Sequence, residues 1–372
     1  MFAILLFLTV AYALIPIPQP NGTYAVGLGA MQLVDTSRDN PYASDHSKRA
    51  VVISAFYPNP KMRCRQACTV PYMPPATAAF YGQQFAAFGV PNGTVEQLQL
   101  QVCCDSPKHR LKGIDDYPVV LFSPGLGTSR LLYNIVAQSV SSSGYIVVTI
   151  DHPHDAQIVE FPDGSVVYGN LTSLEEITAS VDIRARDASF VLTQLGIPSV
   201  IRKLIPGSNC GLNSHRAVMF GHSLGGATTA STMLNDSRIL GGVNMDGSLF
   251  DPVVEQGLDR PFFFMDSEGH TRANDTTYAA IWPHLRGWKR EIEVQGSRHN
   301  SYTDLPILAD VLGLSGRLPL EAVEIIGTVG GFRMLEILTT YLSAFFTLVF
   351  NGSESQLLDN PSPLFPEVVF VP

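Results

Sequence analysis

The chain is poor in charge, and the charge it has is mostly of one sign. Charged residues make up 15% of the 372 positions, with 24 lysines and arginines against 33 aspartates and glutamates, a formal net charge of −9. No basic run stands out, which removes the electrostatic grip that nucleic-acid binding requires. An anionic membrane surface would not attract such a chain either. No internal repeat is present, so a repeat array is excluded. Cysteine is sparse, with Cys64, Cys68, Cys103, Cys104 and Cys210 only. A zinc ribbon wants two residues between its paired ligands, whereas Cys103 and Cys104 are adjacent, and no metal site is expected. The four clustered cysteines instead suit two disulfides that staple the segment ahead of the main domain to itself, with the connectivity left open.

The N-terminus lacks the basic residue that often precedes an export signal, yet Phe2 to Val10 is almost wholly apolar and Ala11-Tyr12-Ala13 follows in a small-x-small pattern. This reads as a signal peptide over 1–13, and the run is short for a membrane span. Six sequons, at Asn21, Asn92, Asn170, Asn235, Asn274 and Asn351, fit the same secretory route to the outside of the cell.

The remaining 14–372 is expected to form one domain, with an irregular cysteine-bearing flank over about 58–116. A strand candidate over Ala50–Tyr57 is stopped by Pro58 and Pro60. From Tyr117 strands and helices alternate: strand Val119–Phe122, helix Thr128–Val140, strand Tyr145–Ile150, a hairpin around Pro162-Asp163-Gly164, and a long helix Leu174–Leu195. That helix carries an apolar stripe at Leu174, Ile177, Val181, Ala188, Val191 and Leu195, interrupted by Arg184. Strands over Gly241–Met245, Pro261–Met265 and Glu291–Val294 follow, with a helix over Tyr278–Trp288. The last helix, Met334–Phe350, has a polar stripe of Glu336, Thr339, Thr340, Ser343 and Thr347 and reads as a cover helix. The alternation predicts an α/β fold, a mostly parallel central sheet flanked by helices.

The most informative stretch is Gly221-His222-Ser223-Leu224-Gly225-Gly226, which fits the G-x-S-x-G elbow. An apolar strand, Ala217–Phe220, leads in and a helix-forming run leads out. The flanking positions must be small because strand and helix nearly touch there, and the serine is held in a strained turn at the top of the sheet. The pattern points to a serine hydrolase. Partners should follow in the order serine, acid, histidine. His299 lies on a loop after the strand Glu291–Val294, placed as a general base. His270 is the runner-up and His284 falls inside a helix. Two carboxylates compete for the acid: Asp246 and Asp266 each end a strand, and position alone slightly favours Asp266. The oxyanion donors are expected to be the backbone N–H of Leu224 and that of Leu126, in the loop Ser123-Pro124-Gly125-Leu126-Gly127.

Leu121 to Gly127, the Arg184-Ala185-Arg186 helix, the Gly-His-Ser-Leu-Gly-Gly elbow, Asp246 and His299 together resemble the plasma-type (isoform II-like) platelet-activating factor acetylhydrolases, of the α/β-hydrolase superfamily, over roughly Ala50–Leu342. In that family the acid follows the serine by about the 23 residues that separate Ser223 from Asp246, and the histidine by nearly the 76 that separate Ser223 from His299. The resemblance moves the acid assignment to Asp246 and maps the second oxyanion donor to Leu126. It implies no metal, no cofactor, and hydrolysis of short sn-2 acyl groups, acetyl above all, from phospholipids. One departure is Pro124, where the family commonly has histidine. The expectation is therefore a secreted, monomeric or weakly oligomeric esterase acting on a phospholipid or small ester, without an obligate protein partner. A polyester- or cutin-type esterase using Asp266 is the enzymatic alternative, and an inactive binding protein of the same fold the non-enzymatic one. Leu305-Pro306-Ile307-Leu308 with Val311-Leu312, just after the histidine loop, has two readings: packing under the final helix, which is favoured, or a weak lipid-surface contact on the rim of the site.

Overall fold

Runs such as Val119-Val120-Leu121-Phe122 are apolar on every residue, and such strands can be satisfied only where helices cover both faces of a sheet. The computed structural model describes residues 13–43, 45–60, 64, 66–104 and 113–372, so nearly all of the 1–13 signal stretch lies outside the described residues. Its main sheet has nine strands: β1 (Tyr24–Asp39), β2 (Lys48–Pro60), β3 (Val119–Ser123), β4 (Ile146–Asp151), β5 (Ala217–His222), β6 (Ile239–Met245), β7 (Phe262–Ser267), β8 (Lys289–Val294) and β9 (Val368–Phe370). In space they run β9-β8-β7-β6-β5-β3-β4-β2-β1. Strands β3 to β8 are mutually parallel, while β1, β2 and β9 are antiparallel additions at the two edges.

Successive residues of a strand face opposite sides, and the two cores follow that alternation. Val120, Phe122, Val218, Phe220 and Phe263 pack with Ile135, Val136 and the Met334, Ile337, Tyr341 and Phe345 face of the helix Gly331–Asn351. Val119, Leu121, Ala217, Met219 and Phe264 pack with Val181, Ala188, Val191 and Leu195 of the helix Leu174–Leu195, and with Ala227 and Ala230 after the elbow. Each fully buried aliphatic or aromatic side chain contributes on the order of 1.5–3 kcal/mol. The cover-helix expectation holds, as does the hairpin, seen as Ile158–Glu160 against Val166–Tyr168.

Several boundaries differ. The strand expected to stop at Pro58 runs through Pro60: β4 pairs it only from Val52 to Phe56, so Pro58 and Pro60 sit where only β1 is a neighbour and a missing N–H is tolerated. The Tyr278–Trp288 helix is short, Thr276–Ile281 followed by a 3-10 turn to His284, because Pro283 and Gly287 end it and Lys289 already starts β8. The Thr128–Val140 helix begins as a 3-10 turn, Arg130–Tyr133, before Asn134–Ser141. Leu174 is the first residue of its helix and is exposed, burial beginning at Ser180. The 58–116 flank is not irregular throughout. It contains the helix Pro75–Ala86 and the strands Ala67–Pro71 and Leu98–Cys103, which pair with each other and with Ile15–Pro16. Disulfides Cys64–Cys103 and Cys68–Cys104 hold this small sheet, as the clustering suggested, and Cys210 is free.

Candidate active site

Ligand sites in open parallel sheets form at the carboxyl ends of strands, and here the ends of β3, β5, β6, β7 and β8 deliver the Ser123–Gly127 loop (the candidate oxyanion loop), Ser223, Asp246, His270 and His299 in turn. Ser223 has φ 55° and ψ −125°, a strained conformation for a residue with a side chain. A Cβ at Gly221 would lie 2.0 Å from the Gly225 carbonyl oxygen, and one at Gly225 2.0 Å from that of Ser123. The elbow therefore closes only with glycine on both sides of the serine. Asp246 also has positive φ, 59°, and its turn is clamped by Asn244, whose side chain bonds both the N–H and the C=O of Gly247.

His299 Nδ1 is 2.6 Å from Asp246 Oδ2, leaving the ring's Nε2 as the nitrogen able to face Ser223. His299 is held beside the elbow by the neighbouring His222. The Nε2 of His222 donates to the carbonyl of His299 (2.8 Å), and its Nδ1 accepts from the Tyr133 hydroxyl (2.8 Å). That hydroxyl in turn accepts from the N–H of Gly125 (3.2 Å), so one hydrogen-bonded chain ties the oxyanion loop, the elbow and the histidine loop together. Burial, helped by the nearby His299, pushes His222 down to about 3 and keeps it neutral, as both of its bonds require.

Asp246 accepts from His299, His270 and the N–H of Ser267 (2.7 Å). Burial alone would raise its carboxyl, but the bonds from His270 and His299 outweigh it and hold the group far below the usual range. Asp266 is different. It is fully buried, neither histidine bonds it, and burial with the nearby Glu291 and Asp246 carboxylates raises its carboxyl well above the usual range.

The oxyanion loop is built from behind. Arg184, which breaks the apolar stripe of its helix, is buried, ion-paired to Asp155, and donates to the carbonyls of Pro124 (2.7 Å) and Gly125 (3.3 Å). In a trans peptide the C=O of Gly125 and the N–H of Leu126 point in opposite directions, so anchoring that carbonyl in the interior turns the N–H outward. Pro124 lacks an N–H but its carbonyl is used. Gly125 abuts the serine: a Cβ there would be 3.3 Å from Ser223 Cβ. Leu224 opens the helix after the elbow, where the first N–H groups have no intrahelical acceptor. Behind Arg184, His152 bonds Ser123 (3.0 Å) and Asp187 (2.9 Å), and Asp187 is gripped by Arg49.

Sequence reasoning missed the roles of Arg184, Asn244, Tyr133 and His222. The break in the apolar stripe was the one signal for Arg184. The segment with two readings forms the helix Leu305–Val311, whose period turns Pro306, Ile307 and Leu308 into the core beside Gly331–Asn351, the packing reading. All six sequon asparagines are exposed. Among the described residues no cluster of metal-ligating side chains is found.

An elbow serine at one strand end and an imidazole bonded to a carboxylate at the ends of strands on the same side of it define the class, a carboxylic ester hydrolase of α/β-hydrolase fold. A ferulic acid esterase from Streptomyces cinnamoneus superposes with a TM-score of 0.78 at 30% identity, covering 96% of this chain and 99% of that one. The chain belongs to the family of platelet-activating factor acetylhydrolase, isoform II, whose sequence profile matches residues 11–162 and 209–326. A probable 1-alkyl-2-acetylglycerophosphocholine esterase from Arthroderma benhamiae is 32% identical over 95% of this chain and 93% of its own length. A platelet-activating factor acetylhydrolase from Cavia porcellus is 29% identical over 57% of this chain and 55% of that protein.

Proposed function

We propose that the chain is a secreted serine esterase that removes short sn-2 acyl groups, acetyl above all, from platelet-activating-factor-like phospholipids. The observation that supports the substrate class is the similarity, along nearly the whole of both chains, to the probable 1-alkyl-2-acetylglycerophosphocholine esterase from Arthroderma benhamiae. Ser223 Oγ attacks the acyl carbonyl as His299 Nε2 takes its proton. Asp246 fixes the tautomer and stabilises the imidazolium. The N–H groups of Leu126 and Leu224 bind the oxyanion. Collapse expels the glycerol oxygen of the lyso-lipid, which takes the proton back from His299 and leaves an acyl-serine. Water, activated by the same histidine, then releases the acid. Secretion is supported by the Phe2–Val10 leader, by two disulfides that need an oxidising compartment, and by exposed sequons.

A second reading, an esterase of aryl or polymer esters, is favoured by the similarity to the ferulic acid esterase along the whole chain. Comparing hydrolysis of a 2-acetyl phosphatidylcholine, a long-chain phosphatidylcholine and methyl ferulate, with Ser223→Ala as control, separates the readings. Preference for the acetyl phospholipid supports the first, and preference for the ferulate overturns it.

A further inference from the structure

His270 has no part in the mechanism above, yet it is built into the same carboxylate. Its Nδ1 lies 2.8 Å from Asp246 Oδ1 and its Nε2 2.9 Å from Asp275 Oδ2. Asp275 already accepts from the hydroxyl of Ser248 (2.6 Å), from the N–H (2.7 Å) and hydroxyl (2.6 Å) of Thr277, and from the N–H of Tyr278 (3.2 Å). Asp246 is likewise supplied with donors. Carboxylates so placed only accept, so both ring nitrogens of His270 must carry protons and the ring is a cation. Asp266 adds a carboxyl from the end of β7, raised by burial. Glu291 of β8 is held by Arg272, and the Tyr278 ring stacks on His270 at 5.2 Å. His299 faces it across Asp246. The bonds to Asp246 and Asp275 push His270 up to about 10, which agrees with the geometry.

We propose that His270 is a positioning residue of the active site, an imidazolium fixed between Asp246 and Asp275 that fixes the rotation of the Asp246 carboxylate. Filling Oδ1 leaves Oδ2 as the oxygen presented to His299. Asp275 keeps the clamp charged, and Ser248 and Thr277 keep Asp275 in place. The proposal rests on Asp246 and His299 acting as assigned above.

The test uses the full chain with p-nitrophenyl acetate, and a thermal melt of every variant. His270→Ala should lower kcat by about 10- to 100-fold with KM little changed. His270→Gln, which still donates one hydrogen bond, should recover most of the kcat. Asp275→Asn should lower kcat in the same direction by less. An unchanged kcat in His270→Ala, or a kcat loss that His270→Gln does not recover and that falls in step with Tm, would reduce His270 to a structural residue and overturn the proposal. If Asp246→Asn retains wild-type kcat, the underlying assignment itself fails, an outcome distinct from a silent His270.

Discussion

Replacing Asp246 by asparagine should be far more damaging than the same change at Asp266, and the geometry says why. Asp246 receives three donors: His299 at 2.6 Å, His270 at 2.8 Å and the Ser267 N–H at 2.7 Å. An amide has one acceptor oxygen and two N–H donors, so it cannot satisfy all three. If the oxygen serves His270 and Ser267, which share Oδ1, the amide NH₂ faces His299. The ring then has to accept at Nδ1, which places its proton on Nε2, where it cannot take one from Ser223. A tautomer locked this way lowers kcat about ten-thousand-fold, or about 5–6 kcal/mol of barrier. Asp266 bonds neither histidine, and burial raises its carboxyl and so favours the uncharged form whose shape an amide shares, so Asp266→Asn should leave kcat within about threefold, under 1 kcal/mol of barrier. The assay is kcat/KM on 2-acetyl phosphatidylcholine and p-nitrophenyl acetate, with fluorophosphonate labelling to count active serines. A crippled Asp266→Asn beside an active Asp246→Asn would refute the reasoning and restore the alternative acid.

Other consequences are equally direct. Arg184→Met should lower kcat about 100-fold by freeing the Gly125 carbonyl and with it the Leu126 donor, and should lower Tm by stranding Asp155; adding Asp155→Leu should restore Tm but not kcat. Asp187→Asn leaves the Arg49 guanidinium unpaired and should destabilise the protein by about 3–5 kcal/mol in denaturant titrations at pH 7. Burial works against the Asp187 carboxyl, but Arg49 and His152 outweigh it and hold it well below its usual range. Its stabilisation is thus complete above the unfolded-state value of about 4 and is lost as the pH falls toward the depressed folded-state value, so the gap between wild type and variant should narrow in acid. Removing the Cys68–Cys104 bridge with a Cys68→Ser/Cys104→Ser pair, while Cys64–Cys103 still closes nearly the same loop, should cost about 2 kcal/mol in the same titration.

The sheet was legible because its strands are short, apolar and separated by turn residues, and the elbow because few other sequences put glycines on both sides of a serine between strand and helix. What escaped was the fold's non-local content. Strand β1 contains Gly27 and Gly29, which weaken a strand signal, and it becomes a strand only through its long ladder with β2. Prolines at 58 and 60 read as stops because the sequence does not say that β4 ends earlier. Asp246 and Asp266 are indistinguishable as residues at strand ends. They differ in what reaches them, since His270 and His299 converge on one, while Glu291 crowds the other. Arg184 looked like a flaw in an apolar stripe until the loop carbonyls it holds, some sixty positions earlier in the chain, came into view. The Leu305–Val311 segment kept two readings because apolar spacing alone does not say whether a helix faces lipid or the core.

The central claim is that Ser223 carries the covalent chemistry. The most direct measurement is mass spectrometry of the protein after a fluorophosphonate. Wild type should gain one adduct on the peptide containing Ser223, with complete loss of esterase activity, and Ser223→Ala should gain none and hydrolyse no ester above a small residual rate. Stoichiometric labelling of Ser223→Ala at another serine, or undiminished turnover by that variant, would contradict it.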